Sequence, residues 1–107
     1  MYEFILNLDG IETTAIVTEH ATMRMLERGF YQNQILNLIE EAGEVLMDLP
    51  ASSFEKDVVL YEKESDTSVC LSLEMVGYDI RVIVKTVFYG RSKYSRQLQE
   101  EFIIGGR

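Results

Sequence analysis

The N-terminal stretch places the strongest constraint on the fold, because apolar and polar side chains alternate on both sides of a two-residue turn signal. Asp9-Gly10 interrupts the alternation, and this dipeptide favours the tight turn that joins two antiparallel strands. We predict a hairpin over residues 2–17 in which Leu8 lies opposite Ile11. In this register one face of the hairpin is mostly apolar, as expected for a sheet that buries one side.

The segment after the hairpin has the signals of a short helix at both ends. The hydroxyl group of Thr18 can cap the first turn. Gly29 can end the helix by adopting a left-handed backbone conformation. Met23 and Leu26 are spaced as an apolar stripe, so we expect this pair to be buried.

Another face of the same helix is basic. His20, Arg24 and Arg28 recur every four residues and therefore project near one another. A neutral imidazole can accept a proton, so His20 is a candidate general base. The two arginines are candidates for stabilising a negatively charged phosphate. Structural roles are the alternatives: His20 can satisfy a backbone group where the hairpin meets the helix, and the arginines can pair with nearby glutamates.

The rest of the chain predicts a second helix followed by a meander of three strands. Apolar residues keep helical spacing from Gln32 to Gly43. Strand-like alternation covers three later segments, residues 58–63, 68–75 and 80–88. The last of these has branched side chains on both faces, which predicts a central strand. We interpret residues 44–47 as a short strand or a connection, and residues 92–102 as a terminal helix.

Together these elements predict one α+β domain spanning residues 1–107. Its antiparallel sheet consists of the N-terminal hairpin and the C-terminal meander, with two helices packed on one side. The predicted core contains apolar residues of both helices and of the meander: Met23, Leu26, Ile35, Ile39, Leu71, Leu73, Val82 and Val84.

Charge is distributed unevenly along the chain, which has a formal net charge of −8. Residues 40–79 contain eleven acidic residues and two lysines, whereas residues 80–99 contain five basic residues and no acid. An acidic chain is a poor general ligand for nucleic acid, but the basic segment has residue types suited to RNA. Basic groups hold phosphates and tyrosines stack on bases. The candidate RNA-binding residues are Arg81, Lys85, Tyr89, Arg91, Lys93 and Tyr94. Arg81 and Lys85 are equally consistent with the solvated face of a strand.

Composition narrows the class of protein further. With one histidine and one cysteine, the sequence offers no zinc-binding set, and it has no glycine-rich phosphate loop, so we expect no metal and no cofactor. No apolar run approaches the roughly 18 residues of a membrane span, and no signal peptide is recognisable. The lone Cys70 cannot form an internal disulfide, so we expect a cytoplasmic protein with no membrane partner.

The basic helix resembles a motif of a known family. Residues 20–29 match the pattern His-Ala-x-x-Arg-Met-x-x-Arg-Gly of a small bacterial domain-of-unknown-function family. That family continues with a second helix, an acidic Gly-Glu-Val step and a closing Thr-x-x-Tyr-like sequence, where this chain has residues 43–45 and 86–89. The resemblance covers roughly residues 16–90.

The resembled family is grouped with the RelE/BrnT-like toxin fold, whose best-known members cut RNA without a metal. The resemblance therefore implies a bacterial protein with a RelE-like fold and a toxin-antitoxin association. It also implies a catalytic role for His20, Arg24, Arg28 and Tyr89.

Two functions follow as hypotheses. The first is a metal-independent ribonuclease of the RelE-like toxin type, active or degenerate, in which His20 takes the 2′-hydroxyl proton and Arg24 and Arg28 stabilise charge on the phosphate. Tyr89 or Lys85 would assist at the leaving oxygen. The second is a non-catalytic module that binds a protein partner, antitoxin-like or other, through the acidic segment 40–79. Clustered basic side chains would favour the nuclease, and basic side chains paired with acids would favour the module.

Overall fold

Six strands and three helices make up the part of the protein that the computed structural model describes, residues 1–91 and 100–104. The elements are β1 (Tyr2–Leu8), β2 (Ile11–Val17), α1 (Glu19–Arg28), α2 (Gln32–Glu41), α3 (Gly43–Met47), β3 (Val58–Glu62), β4 (Thr67–Val76), β5 (Asp79–Tyr89) and β6 (Glu100–Ile104). The connection from α3 to β3 contains a short 3-10 turn at Ala51–Ser53. The described residues include no helix that is both long and apolar enough to cross a membrane.

The predicted N-terminal hairpin is confirmed, including its register. Leu8 pairs with Ile11 at one end of the hairpin and Tyr2 pairs with Val17 at the other. Asp9 and Gly10 have φ angles of 53° and 83°, the left-handed conformation that a tight hairpin turn requires at both central positions. Local turn chemistry is therefore sufficient to specify this element.

The sheet is mixed, so the prediction of a purely antiparallel sheet is wrong. Its strand order is β1-β2-β5-β4-β3-β6. β3, β4 and β5 form the predicted antiparallel meander, but β2 pairs with β5 in parallel, and β6 pairs with β3 in parallel. β5 lies between β2 and β4, which confirms its central position.

The sequence did not predict the parallel pairing of β2 with β5, because turn residues specify the pairing only of the two strands that they join directly. β2 and β5 are separated in the chain by the three helices and by β3 and β4, and strands paired in parallel require such a long crossover connection. The α+β class is confirmed, with three helices rather than the predicted two.

The capping signals of α1 are confirmed, but the predicted buried face is wrong. The Thr18 hydroxyl accepts a hydrogen bond from the N–H of Ala21, and Gly29 ends the helix with a φ of 74°. Ala21 and Met25 face the core. The expected stripe is instead solvent-exposed, with Met23 58% and Leu26 79% accessible.

Contacts between the start of α1 and β5 explain which face of the helix is buried. The backbone N–H and the hydroxyl group of Thr18 both donate to the carbonyl of Val84, at 3.2 and 3.0 Å. These bonds anchor the first turn to the central strand and set the rotation of α1. Ala21 and Met25 then point inward, and Met23 and Leu26 lie on the far side, since each residue advances by about 100° around a helix.

The predicted second helix is two helices. α2 ends at Glu41, Ala42 has a non-helical backbone conformation, and Gly43 begins α3. The interpretation of residues 44–47 as a strand or connection is therefore wrong. The interpretation of residues 92–102 as a helix is also wrong where it overlaps β6, and residues 92–99 lie outside the described residues.

The core lies between the helices and one face of the sheet. Six of the eight predicted core residues are buried in it: Ile35, Ile39, Leu71, Leu73, Val82 and Val84. The two exceptions are Met23 and Leu26 on α1. The strand periodicity therefore identified the buried face of the sheet correctly, whereas the helix periodicity did so only for α2.

Gly43 is required where α3 passes the N-terminal hairpin. A Cβ atom at this position would lie 2.8 Å from the backbone N of Asp9 and 3.0 Å from the Cα of Leu8. Because both neighbours are backbone atoms, they cannot move aside as a side chain would. We expect Gly43→Ala to lower the free energy of unfolding by about 1–3 kcal/mol, as measured by urea denaturation. Glu44→Ala on the exposed side of α3 is the control and should change this free energy by less than about 0.5 kcal/mol.

Candidate functional site

His20 lies in the first turn of α1 and is solvent-exposed. Thr18, two residues earlier, is tied to the carbonyls of Val84 and Lys85, so the position of this turn relative to β5 is well defined. No hydrogen bond joins the His20 ring to another residue within the described parts of the chain. The imidazole is therefore open to solvent rather than used to satisfy a backbone group in these ranges.

Arg24 lies one turn after His20 on the same flank of α1 and is paired with an acid. Its Nη1 atom lies 2.7 Å from Oε2 of Glu27, three residues further along the helix. The pair is partly exposed, so it contributes little to stability. The Glu27 carboxylate lies against one side of the Arg24 guanidinium group, where an anionic ligand would otherwise bind.

Arg28 and Tyr89, which the family resemblance places at a catalytic site, contact each other directly. The Tyr89 hydroxyl donates to the backbone carbonyl of Arg28 at 3.0 Å, and the Arg28 guanidinium donates to the backbone carbonyl of Val87. The Tyr89 ring stacks on Phe30, with ring centroids 4.3 Å apart. These contacts hold the C-terminal end of α1 against the end of β5. They give Arg28 and Tyr89 a structural role.

Arg81 and Lys85 lie away from the helices. Successive side chains of a strand alternate between the two faces of the sheet, and the adjacent Val82 and Val84 point into the core. Lys85 forms an ion pair with Asp57, which precedes β3. Arg81 is paired in register with Glu74 of β4. The basic residues of β5 are thus set apart from the basic flank of α1.

Cys70 lies near the ion pair of Lys85 and Asp57 and is buried. Burial raises the pKa of the thiol to about 11, and the negative charge of Asp57 adds to this effect while Lys85 opposes it. The group is therefore a neutral thiol at neutral pH and a poor nucleophile.

Only one of the remaining predicted RNA-binding residues falls within the described chain. Arg91 lies over the ring of Tyr61, with its guanidinium carbon 5.8 Å from the ring centroid. This distance is within the range of a cation–π contact. Lys93 and Tyr94 lie outside the described residues.

Acidic side chains meet at the C-terminal end of α2, and the sequence analysis did not group them. Partial desolvation raises the pKa of Glu41, and a hydrogen bond to Glu62 and the negative charges of Glu62 and Glu64 raise it further. The preceding Glu40 accepts a hydrogen bond from the backbone N–H of Asn7 at 2.9 Å. We call Glu41, Glu62 and Glu64 the acidic surface.

The members of the acidic surface lie in α2, at the end of β3 and in the turn that follows β3, so α2 and the β3 end are far apart in the chain. No local spacing could have grouped them, although the abundance of acids in residues 40–79 was a signal of their presence. Across residues 1–91 and 100–104, no group of three or more histidine, cysteine, aspartate or glutamate side chains is placed to hold a metal ion.

Comparisons with known proteins identify no relative: no family model, curated protein or solved structure matches this chain.

Proposed function

We propose that the protein is a non-catalytic module that binds a positively charged protein partner through the acidic surface. The observation that supports this proposal most directly is the state of the basic side chains predicted to bind RNA. Arg24 and Lys85 are paired with carboxylates, and Arg28 is bonded to a backbone carbonyl. A nuclease site would need these cations to be available to a phosphate.

In the acidic surface, by contrast, groups of like charge lie close together. Glu62 and Glu64 lie close enough to Glu41 that their negative charges raise the pKa of its carboxyl group, and Glu41 and Glu64 are exposed to solvent. A basic partner would relieve this repulsion, and complementary charge also speeds association and sets specificity. The net charge of −8 acts in the same direction over the whole molecule.

A metal-independent ribonuclease of the RelE-like toxin type is the second candidate, and one observation favours it. The exposed His20 and the partly exposed Arg24 lie one turn apart on the same flank of α1, a spacing at which a base and a cation can reach one phosphodiester. In this case His20 would take the 2′-hydroxyl proton, and Arg24 and Arg28 would stabilise the charge that develops on the phosphate.

A charge-matched capture experiment tests the leading proposal. The full chain is immobilised, and the amount of each protein it retains from a lysate is compared with that retained by the double variant Glu41→Gln/Glu64→Gln. We expect about tenfold less of a salt-sensitive partner on the variant, which is the loss expected from two weakened interfacial charge contacts. The control is Glu19→Gln/Asp79→Asn, which removes the same charge from other exposed positions and should retain the partner.

An RNA-cleavage assay on the purified protein separates the two candidates. The module should leave RNA intact in the presence and absence of EDTA. Cleavage that persists in EDTA and falls by about 10²–10⁴ in His20→Ala, the loss expected for a general base, would replace the leading proposal with the second candidate. A partner retained equally by the acidic-surface variant and the control would also contradict the leading proposal.

A further inference from the structure

β1 lies at one end of the sheet and has an open edge. Within the described ranges it pairs with β2 on one side and with no strand on the other. An edge of this kind exposes backbone N–H and C=O groups that can pair with another extended chain.

The hairpin geometry identifies the backbone groups that face the open edge. In a two-residue hairpin, the residues that flank the turn, here Leu8 and Ile11, exchange backbone hydrogen bonds, and such pairs alternate along the strands. The even-numbered residues of β1 therefore point toward β2, and Glu3, Ile5 and Asn7 point away. The bond from the Asn7 N–H to the Glu40 carboxylate agrees with this assignment.

Glu3 and Ile5 are thus the residues whose backbone groups are available on this edge. In the part of the chain that the structure describes, neither residue forms a backbone hydrogen bond on the side of β1 that faces away from β2. The Ile5 side chain is 66% exposed, whereas Leu6 and Leu8 of the same strand are buried in the core. The edge has no proline or lysine of the kind that proteins use to block strand addition.

We infer that the open edge of β1, from Glu3 to Asn7, accepts an extended, positively charged segment of another protein as an additional strand. This inference rests on the proposed protein-binding function and adds to the acidic surface a second contact region, the edge of β1, together with the form of the partner segment. Backbone hydrogen bonds to Glu3 and Ile5 supply the pairing, as in other cases of strand addition. An apolar side chain opposite Ile5 would cover its exposed surface.

Charge determines the choice of a basic segment as the occupant. Carboxylates stand at both ends of the open stretch, Glu3 in the strand and Glu40 against Asn7. A second copy of this chain would bring two molecules of net charge −8 together at these carboxylates, which opposes association. A segment with lysine or arginine two residues before and after an apolar residue complements the edge, because side chains two apart in a strand lie on the same face, as Glu3 and Ile5 do.

A defined peptide provides the direct test. The probe is the capped seven-residue peptide Thr-Lys-Thr-Ile-Thr-Lys-Thr, which places isoleucine and both lysines on one face of a strand, and its control has glutamate in place of lysine. The measurement is amide hydrogen exchange of the full chain by NMR. The lysine peptide should slow exchange of the Glu3 and Ile5 amides, and the glutamate peptide should not, because its charges are repelled by Glu3 and Glu40.

A proline substitution separates edge pairing from general charge attraction. Ile5→Pro removes a backbone N–H that points away from β2 and suits an edge strand. We expect the lysine peptide to bind at least about tenfold more weakly. Ile5→Thr keeps the N–H and should bind within about threefold of the original chain. If Ile5→Pro unfolds the protein, amide exchange of the original chain with the two peptides still decides the question.

The outcomes distinguish this inference from the function on which it rests. If the partner captured through the acidic surface is lost from Glu41→Gln/Glu64→Gln but retained by Ile5→Pro, the edge inference is overturned and the module stands. Protection of the Glu3 and Ile5 amides that appears without peptide and increases with protein concentration would identify a second copy as the occupant, and would overturn the choice of a basic segment. Loss of the partner from both Ile5→Pro and the acidic-surface variant would support both proposals.

Discussion

Phe30→Ala is expected to lower the free energy of unfolding by about 3–5 kcal/mol, the range for removing a buried aromatic ring. Phe30 is buried at the junction of α1 and α2 and stacks on Tyr89 with centroids 4.3 Å apart. Its removal would leave a cavity in the core and would also free Tyr89, whose hydroxyl holds the end of α1. Urea denaturation monitored by circular dichroism measures the loss.

The neighbouring Tyr31 provides a matched control for this change. Tyr31 is 80% exposed, so Tyr31→Ala should alter the free energy of unfolding by less than about 0.5 kcal/mol. Tyr89→Phe, which keeps the ring and removes only the hydrogen bond to Arg28, should cost about 1 kcal/mol. A Phe30→Ala variant as stable as Tyr31→Ala would mean that this ring does not join α1 to β5.

The same contacts bear on the role assigned to Arg28 and Tyr89 by family resemblance. The resemblance implies that both residues belong to a catalytic site, and the contacts that the structure shows for them are with backbone carbonyls and an aromatic ring. A structural role accounts for each of these contacts. If Tyr89 acts only in this way, Tyr89→Phe should affect stability without affecting any activity of the protein.

Features encoded by adjacent residues were predictable from the sequence. The hairpin register follows from Asp9-Gly10, and the limits of α1 follow from Thr18 and Gly29, because each depends on one or two local backbone conformations. The parallel pairing of β2 with β5 was not predictable in this way. It depends on how a long connection crosses the sheet, which no single turn specifies.

The candidate site shows the same division between local and non-local information. Helical spacing predicted that His20 and Arg24 share a flank of α1, and they do. It could not predict that Lys85 would pair with Asp57 or that Glu41 would meet Glu62, since these partners come from different elements. These non-local pairs support the proposed binding module over the nuclease, because they place Lys85 against a carboxylate and bring acids together.

The buried face of α1 was ambiguous because the helix has apolar residues on two sides. Met23 and Leu26 suggested one face, and Ala21 and Met25 form the other. Size and hydrophobicity favour the first pair, but the bonds from Thr18 to Val84 orient the helix so that the second pair is buried. A tertiary contact therefore overrides the local amphipathic pattern.

Two leucine substitutions test this conclusion with identical chemistry. Leu73 on β4 is 1% exposed and lies in the core, whereas Leu26 on α1 is 79% exposed. We expect Leu73→Ala to lower the free energy of unfolding by about 2–5 kcal/mol through lost burial and the cavity left behind. Leu26→Ala should change it by less than about 0.5 kcal/mol, because alanine is also a good helix former. Urea denaturation of the two variants under the same conditions gives the comparison. A large loss for Leu26→Ala would show that α1 buries the face predicted from its sequence, and a small loss for Leu73→Ala would show that this face of the sheet is open to solvent.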